Sequence, residues 1–372
     1  ALKYATEIAP SFNAYVYFRF GYWIAKKLGR LIYRIKVGFY DDKQLQSIDP
    51  KSSVVFVMNH RSNMDYVLVS FLAAEKTALS YAVGEWARIW PLQTLIKSMG
   101  AFFVRRNSRN TLYRRVLERY VNLATRAGVC QAVFLEGGLT RDGKMHEPKL
   151  GFLDYMLRDY HVDIDRDIVF IPVGINYDRV IEDRSLMRGL NQDADRRSLW
   201  FVTKTSLRFF FKTLLLDRKT RWSRFGYASV NFGKPISARH YCVQHQIDFS
   251  QLDQLNRFQC IKQLSEQLMH EIGRVIPVLP VALMSEILLA EKHGRRSELE
   301  LKAAAINRIE QLKTMGAPIH ISASACEQVL NRALDMLTGR GLIDFEDGLY
   351  QMAAQSSTLL EYYANSLAHW QP

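Results

Sequence analysis

Short runs of β-branched and aromatic residues alternate with longer segments of helical periodicity from residue 49 onward. This alternation predicts an α/β fold with a mostly parallel mixed sheet flanked by helices, because each parallel strand needs a crossover before the next. Ligands of such sheets bind beyond the carboxyl ends of the strands, so polar residues that directly follow a strand are the first functional candidates. The predicted strands are residues 53–58, 79–83, 101–104, 129–135, 168–175 and 227–232.

The segments on either side of this region have different patterns, and they divide the chain into predicted parts at 1–48, 49–245 and 246–372. Residues 11–40 are aromatic and basic and contain no acidic residue, which is typical of an amphipathic helix lying on an anionic membrane. Packing of that helix on the domain is the alternative. The third part is helical and contains "GLIDFEDGLYQM", which predicts a hairpin turning at residues 346–348 and hence a winged-helix-like ending.

The charge of the chain favours an anionic partner. Fifty Lys and Arg against 37 Asp and Glu give a net charge of +13, which suits nucleic acid, an acidic membrane surface or phosphorylated substrates.

The four cysteines are scattered without a C-x-x-C pair, which argues against a disulfide framework and a zinc site. No apolar run approaches the roughly 18 residues of a spanning helix, so we do not expect the chain to span a membrane, and a position on the membrane surface stays open. A start at Ala1 without a signal-peptide pattern leads us to expect further residues upstream.

The stretch "VVFVMNHRSNMDY", residues 54–66, places His60 after a predicted strand and Asp65 in the first turn of the helix that follows. A carboxylate in that position can bind one imidazole nitrogen, fix the tautomer and leave the other nitrogen as a general base. The chain has no G-x-S-x-G motif, so we expect the base to act on a hydroxyl of the substrate. The alternative is that Asp65 only favours the helix dipole.

A second stretch, "GAFFVRRNSRN" at residues 100–110, runs from a predicted buried strand directly into Arg105. A guanidinium at a strand end suits a phosphate group, because its planar fork of donors matches two phosphate oxygens. A solvated basic helix face is the alternative explanation for Arg114 and Arg115 further along.

A third stretch, "VFLEGGLTRDGK" at residues 133–144, joins a strand to a carboxylate, two glycines and two cations. It predicts a flexible loop whose backbone amides can approach an anion closely, with a plain glycine turn as the alternative. The spacing from Gly138 to Lys144 also fits G-x-x-x-x-G-K, but Met145 stands where a nucleotide-binding P-loop needs Ser or Thr. A nucleotide-binding loop is therefore not expected.

A fourth stretch, "IVFIPVGINYDR" at residues 168–179, is a very apolar strand that contains Pro172. A proline inside a strand indicates an edge position or a functional kink, since it cannot donate to the ladder. The strand suits an apolar wall for an acyl chain, and core packing is the alternative.

These four blocks, in this order, resemble the motifs of the glycerolipid acyltransferases, and most closely those of the glycerol-3-phosphate 1-O-acyltransferase branch. Segments 228–236, 277–283 and 359–369 are also similar to parts of those enzymes. The resemblance implies an acyltransferase core that moves a fatty acyl group from acyl-CoA or acyl-carrier protein to the sn-1 hydroxyl of glycerol 3-phosphate in phospholipid biosynthesis. It also implies no metal, no cofactor, no acyl-enzyme and a peripheral place on the cytoplasmic face of a membrane, the inner membrane in a bacterium.

The resemblance further implies roles for particular residues, with His60 as the general base and Asp65 as its orienting acid. The implied substrate-binding residues are Arg61, Ser62, Arg105, Glu136, Gly137, Gly138, Arg141, Lys144, Lys149 and Pro172. The branch usually has an arginine after the two glycines of the third block, whereas this chain has Leu139, which removes a guanidinium from the expected phosphate site. Lys144 or Lys149 can substitute for it, and acylation of lysophosphatidate or another acceptor is the alternative.

Two other functional classes are compatible with the same features. The basic charge and the winged-helix-like ending suit a nucleic-acid-binding protein, which would bind DNA or RNA with strong salt dependence. The basic residues cluster at 100–126 instead of on a candidate recognition helix, so nucleic acid is not the expected partner. A lipid-binding module without catalysis would keep its membrane affinity after the loss of His60.

Overall fold

A mixed sheet between two apolar clusters forms the centre of the structure. The structure is a computed structural model, and it describes residues 1–39, 45–73, 79–84, 92–105, 108–188, 218–290, 294–321 and 325–371. The strands of this sheet are β1 (Arg34–Phe39), β2 (Ser53–Met58), β3 (Ser80–Gly84), β4 (Phe102–Val104), β5 (Gln131–Phe134), β6 (Ile168–Tyr177), β7 (Tyr227–Phe232) and β8 (Ile236–Ser237). Within the described residues the order is β1-β7-β6-β2-β5-β3-β4, with β8 pairing β6. The neighbours from β6 to β4 are parallel, whereas β7 and β8 run antiparallel to β6. The predicted mostly parallel sheet is confirmed.

Helices cover both faces of this sheet. Successive residues of a strand point to opposite sides, so a fully buried strand has an apolar face on each side that helices must cover. Phe170 of β6 packs in one apolar cluster and its neighbour Ile171 packs in the other. The helices are α1 (Leu2–Ile8), α2 (Tyr22–Ile32), α3 (Met64–Ala73), α4 (Leu92–Ser98), α5 (Thr111–Arg126), α6 (Gly151–Leu157), α7 (Asp183–Arg188), α8 (Arg218–Phe225), α9 (Ala238–His245), α10 (Gln254–Val275), α11 (Pro280–Ala290), α12 (Glu298–Thr314), α13 (Cys326–Gly339) and α14 (Ser357–Ala364), with a π-helical turn (Val16–Gly21) before α2 and a 3-10 helix (Asn365–Trp370) after α14. In the part of the chain that the structure describes, no helix combines the length and the apolar character that a bilayer crossing requires.

The strand β1 was not predicted from the sequence. Basic and apolar residues alternate in Arg34–Phe39 with the two-residue period of a strand, but the segment follows an aromatic and basic helix of similar composition. β1 pairs in parallel with β7 along its whole length, from Arg34 beside Tyr227 to Phe39 beside Phe232. Residues 34–39 therefore belong to the sheet, inside the predicted N-terminal part that ends at residue 48.

The predicted edge position for the strand with Pro172 is wrong, since β6 lies between β2 and β7 and all ten of its residues are buried. Proline is tolerated because β6 changes partners on one side at this point. β8 pairs with Val169 and Phe170, and β7 pairs from Val173 onward. The Pro172 carbonyl accepts a hydrogen bond of 2.8 Å from the Gly233 amide, in the connection between β7 and β8.

The C-terminal helices share the core of the sheet. Residues of α11, α13 and α14 lie in the same apolar cluster as Ile171 of β6. Asp178, directly after β6, accepts hydrogen bonds from the backbone amides of Tyr227 (2.8 Å) and Val281 (3.2 Å). Burial raises the pKa of this carboxyl to about 6. Asp178 thus joins the end of β6 to β7 and to the first turn of α11.

The predicted hairpin near the end of the chain is confirmed. β10 (Ile343–Glu346) and β11 (Leu349–Met352) are antiparallel and turn at Asp347 and Gly348, whose φ angles of 52° and 79° fit a two-residue hairpin turn. β11 also pairs with β9 (Arg296–Ser297), which forms a small sheet next to α12 and α13. Helices with a hairpin at their end match the predicted winged-helix-like arrangement.

Candidate active site

The turn between β2 and α3 is built around the Asp65 carboxylate. Its Oδ2 atom lies 2.9 Å from His60 Nδ1 and accepts hydrogen bonds from the backbone amides of Arg61 (2.7 Å) and Ser62 (3.0 Å). The side chains of His60 and Asp65 are buried, with 2% and 0% of their surface exposed. The structure thus shows the predicted pairing, and Asp65 also lies where it favours the dipole of α3.

Tyr177, the last residue of β6, donates a hydrogen bond of 2.6 Å to the other oxygen of Asp65, Oδ1. Burial and the negative charge of Asp65 raise the pKa of this phenol well above its usual value, so the hydroxyl remains a donor. Together with the three contacts to Oδ2, this hydrogen bond offsets the cost of burying a carboxylate. Tyr177 was not predicted, and its one signal in the sequence is its place at the end of an apolar strand.

Aromatic packing and backbone contacts fix the imidazole of His60. Its ring stacks on Phe134 with centroids 3.8 Å apart, and the ring of Tyr66 lies edge-to-face at 5.4 Å. The His60 amide donates to Glu136 Oε1 (3.2 Å), and its carbonyl accepts from the Thr140 amide (3.0 Å). These contacts hold Nδ1 towards the Asp65 carboxylate, and Nε2 is the ring nitrogen that Asp65 does not bind.

Glu136 connects the His60 turn to residues 136–146, which we call the glycine loop. Its Oε2 atom accepts a hydrogen bond of 2.9 Å from the backbone amide of His146. Burial raises the pKa of the Glu136 carboxyl, against the opposing effect of its hydrogen bonds to the two amides. The adjacent Gly137 has a φ of 71°, a left-handed conformation that favours glycine. Both predicted residues therefore shape the loop, and their contact with a substrate stays a prediction.

The glycine loop is held from inside by Thr140. The Thr140 hydroxyl donates to the carbonyl of Lys144 (2.8 Å) and accepts from the amide of Gly143 (3.0 Å). The other predicted substrate-binding residues of this region are more accessible to solvent. Gly138 is half-buried, and the side chains of Arg141, Lys144 and Lys149 are exposed.

The C-terminal region closes the other side of the glycine loop. The buried guanidinium of Arg61 donates from Nη1 to the Gly143 carbonyl at 2.6 Å and lies 4.7 Å from the ring centroid of Tyr362. Asn365 Nδ2 donates to the carbonyl of Asp142 at 2.8 Å. Helix α14 and the 3-10 helix after it therefore form one wall of the candidate site, a role that the sequence pattern did not indicate.

Ser62 is held by a carboxylate that was not predicted, Glu182. The Ser62 hydroxyl donates to Glu182 Oε2 at 2.7 Å and accepts from the Met64 amide at 3.1 Å, so it caps the start of α3. The second oxygen of Glu182 accepts from the Asn63 amide at 3.2 Å, and burial raises the pKa of this carboxyl. Ser62 therefore supports the turn that carries His60.

Arg105 lies on the same rim of the sheet as His60, three strands away. β5 and β3 separate β2 from β4, so the two strand ends are roughly 14 Å apart at the usual strand spacing. The Arg105 guanidinium forms two hydrogen bonds with Glu7 of α1, from Nε to Oε1 at 2.7 Å and from Nη2 to Oε2 at 2.6 Å. The predicted phosphate ligand is thus paired with a carboxylate. Its neighbour Arg106 lies outside the described residues.

The side chains of Asp65, Glu136 and Thr140 each accept a hydrogen bond from a backbone amide of the site. Among the residues that the structure describes, no group of three or more His, Cys, Asp or Glu is placed to hold a metal ion. The chemistry that the geometry supports directly is proton transfer at His60 Nε2.

Two family models match the chain one after the other. The model described as Acyltransferase matches residues 37–176, and the model described as Glycerol-3-phosphate acyltransferase C-terminal region matches residues 210–371. The first match contains the His60 turn, Arg105 and the glycine loop, and the second contains the wall that α14 forms.

The chain is also similar to curated bacterial proteins named glycerol-3-phosphate acyltransferase. It is 28% identical to that of Pseudomonas aeruginosa (strain LESB58) over 387 residues, which cover 99% of this chain and 44% of the relative. It is 27% identical to that of Aeromonas hydrophila subsp. hydrophila over 376 residues, with 98% and 45% covered. The chain thus spans less than half the length of these relatives. The solved 1-acyl-sn-glycerophosphate (LPA) acyltransferase from Thermotoga maritima matches 69% of this chain and 78% of its own, with 16% identity and a TM-score of 0.36.

The substitution Gly143→Ala should separate the glycine loop from the C-terminal wall. Gly143 has a φ of 86°, and an added Cβ would overlap the backbone carbonyl of Tyr362. Because a backbone group cannot move aside like a flexible side chain, we expect the free energy of unfolding to fall by about 3 kcal/mol or more. Urea denaturation of the two proteins measures this difference.

Gly316→Ala is the matched control, since Gly316 has a similar φ of 82° with open space around it. This substitution should cost only about 1–2 kcal/mol, the penalty of a left-handed backbone for alanine. Equal losses in the two variants would show that the contact between the loop and Tyr362 contributes nothing.

Proposed function

We propose that the chain is a glycerolipid acyltransferase and that it moves a fatty acyl group from a thioester to the 1-hydroxyl of glycerol 3-phosphate, since the two matching family models both describe acyltransferases. The observation that supports this function most is the buried pair of His60 and Asp65. Asp65 takes up Nδ1, so Nε2 is the nitrogen that can accept the proton of an acceptor hydroxyl.

His60 acts as a general base in this reaction. Nε2 takes the hydroxyl proton as the acceptor oxygen attacks the acyl carbonyl, and Asp65 stabilises the imidazolium that forms. The tetrahedral intermediate then expels the thiolate, which receives the proton from His60, so the base is restored without an acyl-enzyme. Tyr177 and the backbone amides of the turn keep the carboxylate in place while the ring changes charge. These steps require neither a metal nor another cofactor.

The substrate hydroxyl is the proposed nucleophile because the hydroxyl that the turn itself carries, on Ser62, is engaged elsewhere. Ser62 donates to Glu182 and accepts from a backbone amide of α3. Its oxygen therefore supports the turn instead of pairing with His60.

Cationic side chains around the site support a phosphorylated acceptor. Arg105 lies on the same rim as the imidazole, and Arg141, Lys144 and Lys149 are exposed around the glycine loop. Leu139 stands where the branch usually has an arginine, which keeps lysophosphatidate as the second candidate acceptor. The net charge of +13 suits acyl-CoA and acyl-carrier protein alike, since both donors are anionic.

The proposed position of the protein is peripheral, on the cytoplasmic face of a phospholipid membrane. The N-terminal segment exposes large apolar side chains, and Lys27 Nζ lies 4.1 Å from the ring centroid of Trp23. Aromatic rings beside basic groups suit the headgroup region, and the cytoplasmic leaflet is negatively charged. Among the side chains that the structure describes before β1, the exposed large apolar ones are Leu2, Phe12, Tyr15, Phe18 and Trp23.

His60→Ala should abolish acyl transfer. In an assay with purified protein and labelled acyl-CoA, we expect a loss of about 10²–10⁴-fold in kcat/KM, the usual contribution of a general base. His240→Ala is the matched control, because His240 is an exposed histidine on α9, and it should keep full activity. Full transfer by His60→Ala protein would refute the proposed role of the imidazole.

The same assay separates the two acceptors when it is run with glycerol 3-phosphate and with lysophosphatidate. Product from glycerol 3-phosphate alone supports the proposed reaction. Product from lysophosphatidate alone would move the activity to the second candidate.

Vesicle sedimentation tests the proposed membrane surface. Vesicles that contain phosphatidylglycerol should carry down more protein than vesicles of phosphatidylcholine, because the N-terminal segment is basic and phosphatidylglycerol is anionic. Replacement of Tyr15 and Trp23 with serine should weaken binding to both, since it removes apolar area. Equal binding by the wild-type and doubly substituted proteins would contradict the assignment of this surface.

A further inference from the structure

Helix α1 supplies a carboxylate that occupies the donors of Arg105. Glu7 accepts from both Nε and Nη2 through its two oxygens, at 2.7 and 2.6 Å. We propose that Glu7 is an internal competitor of the acceptor's phosphate group, and that it sets the affinity of the site by binding the same two donors. This inference rests on the proposed function, in which Arg105 belongs to the acceptor site.

The contact between α1 and Arg105 is built from several side chains. The Arg105 guanidinium lies 5.4 Å from the ring centroid of Tyr4 and 5.3 Å from that of Tyr113. Asn110 Nδ2 donates to the Tyr4 hydroxyl at 3.1 Å, and the Arg105 amide donates to the Tyr113 hydroxyl at 2.9 Å. The packing of these side chains around the guanidinium therefore fixes the position of Arg105 beside Glu7.

A carboxylate and a phosphate make the same demand on a guanidinium. Each offers two oxygens to a pair of parallel N–H donors, so both cannot use Nε and Nη2 of Arg105 at once. An acceptor whose phosphate binds these donors must first displace Glu7.

The pair is open enough for this exchange. Arg105 is 34% exposed and Glu7 is 12% exposed, and ion pairs that water reaches contribute little to stability. Ile8, the residue after Glu7, is fully buried in the apolar cluster that includes Leu117 of α5. Helix α1 can therefore stay anchored while the Glu7 side chain turns away.

Inorganic phosphate is the probe, since it carries the charged group of the acceptor without the reacting hydroxyl. In calorimetric titrations of the full chain, Glu7→Gln protein should bind phosphate about fivefold more tightly than the wild type, as expected for loss of a partly exposed ion pair. The KM for glycerol 3-phosphate should fall by a similar factor, with kcat unchanged. Addition of Arg105→Gln should remove the gain.

Glu118→Gln is the matched control, because Glu118 pairs with Arg115 and Arg158 and its loss removes the same charge without freeing Arg105. It should leave the phosphate affinity unchanged. Equal gains in phosphate affinity for the Glu7 and Glu118 variants would show that the gain comes from the change in net charge, and would overturn the proposal. An unchanged or weaker phosphate affinity for Glu7→Gln protein would overturn it as well.

Phosphate binding does not depend on catalysis, so this test and the test of the proposed function fail separately. If neither acceptor is acylated but Glu7→Gln protein binds phosphate more tightly, the proposed function fails and the competition at Arg105 stands. If glycerol 3-phosphate is acylated but Glu7→Gln leaves the phosphate affinity and KM unchanged, the competition fails and the function stands.

Discussion

A buried carboxylate that needs partners on both of its oxygens determines how the candidate site is built. Asp65 is contacted by His60 and by two amides of its own turn, and by Tyr177 from a different strand. Because an unpaired buried carboxylate is costly, the turn after β2 and the end of β6 must meet at this side chain. The parallel pairing of the two strands, with Met58 beside Val173 at the end of the ladder, brings them together.

The glycine loop and the His60 turn join the two parts of the chain that the family models match. The glycine loop contacts His60 through Glu136 and Thr140 on one side, and it meets α14 and the 3-10 helix on the other. Arg61 links these parts, since its guanidinium lies between the Gly143 carbonyl and a tyrosine ring of α14. The C-terminal helices therefore complete the candidate site as well as the core, so the two matched segments pack together around the His60 turn.

Features of contiguous sequence were sufficient to predict much of the fold. Strand periods, helix limits and the five-residue spacing of His60 and Asp65 are all local, so they are visible before the chain is folded. Partners from distant segments were not predictable in this way. Tyr177 lies 112 residues after Asp65, Glu7 lies 98 residues before the arginine that it binds, and Tyr362 lies 301 residues after Arg61. One sequence with 50 basic and 37 acidic residues does not specify which of them meet, because topology decides it.

The tautomer of His60 depends directly on its contact with Asp65. The most direct test is a nitrogen NMR spectrum of the imidazole ring at a pH where it is neutral, assigned by comparison with His60→Gln protein. The ring should carry its proton on Nδ1, which faces the carboxylate at 2.9 Å, and leave Nε2 unprotonated. Asp65→Asn, whose amide can donate, should move the proton to Nε2. A wild-type ring with its proton on Nε2 would contradict the arrangement from which the proposed chemistry follows.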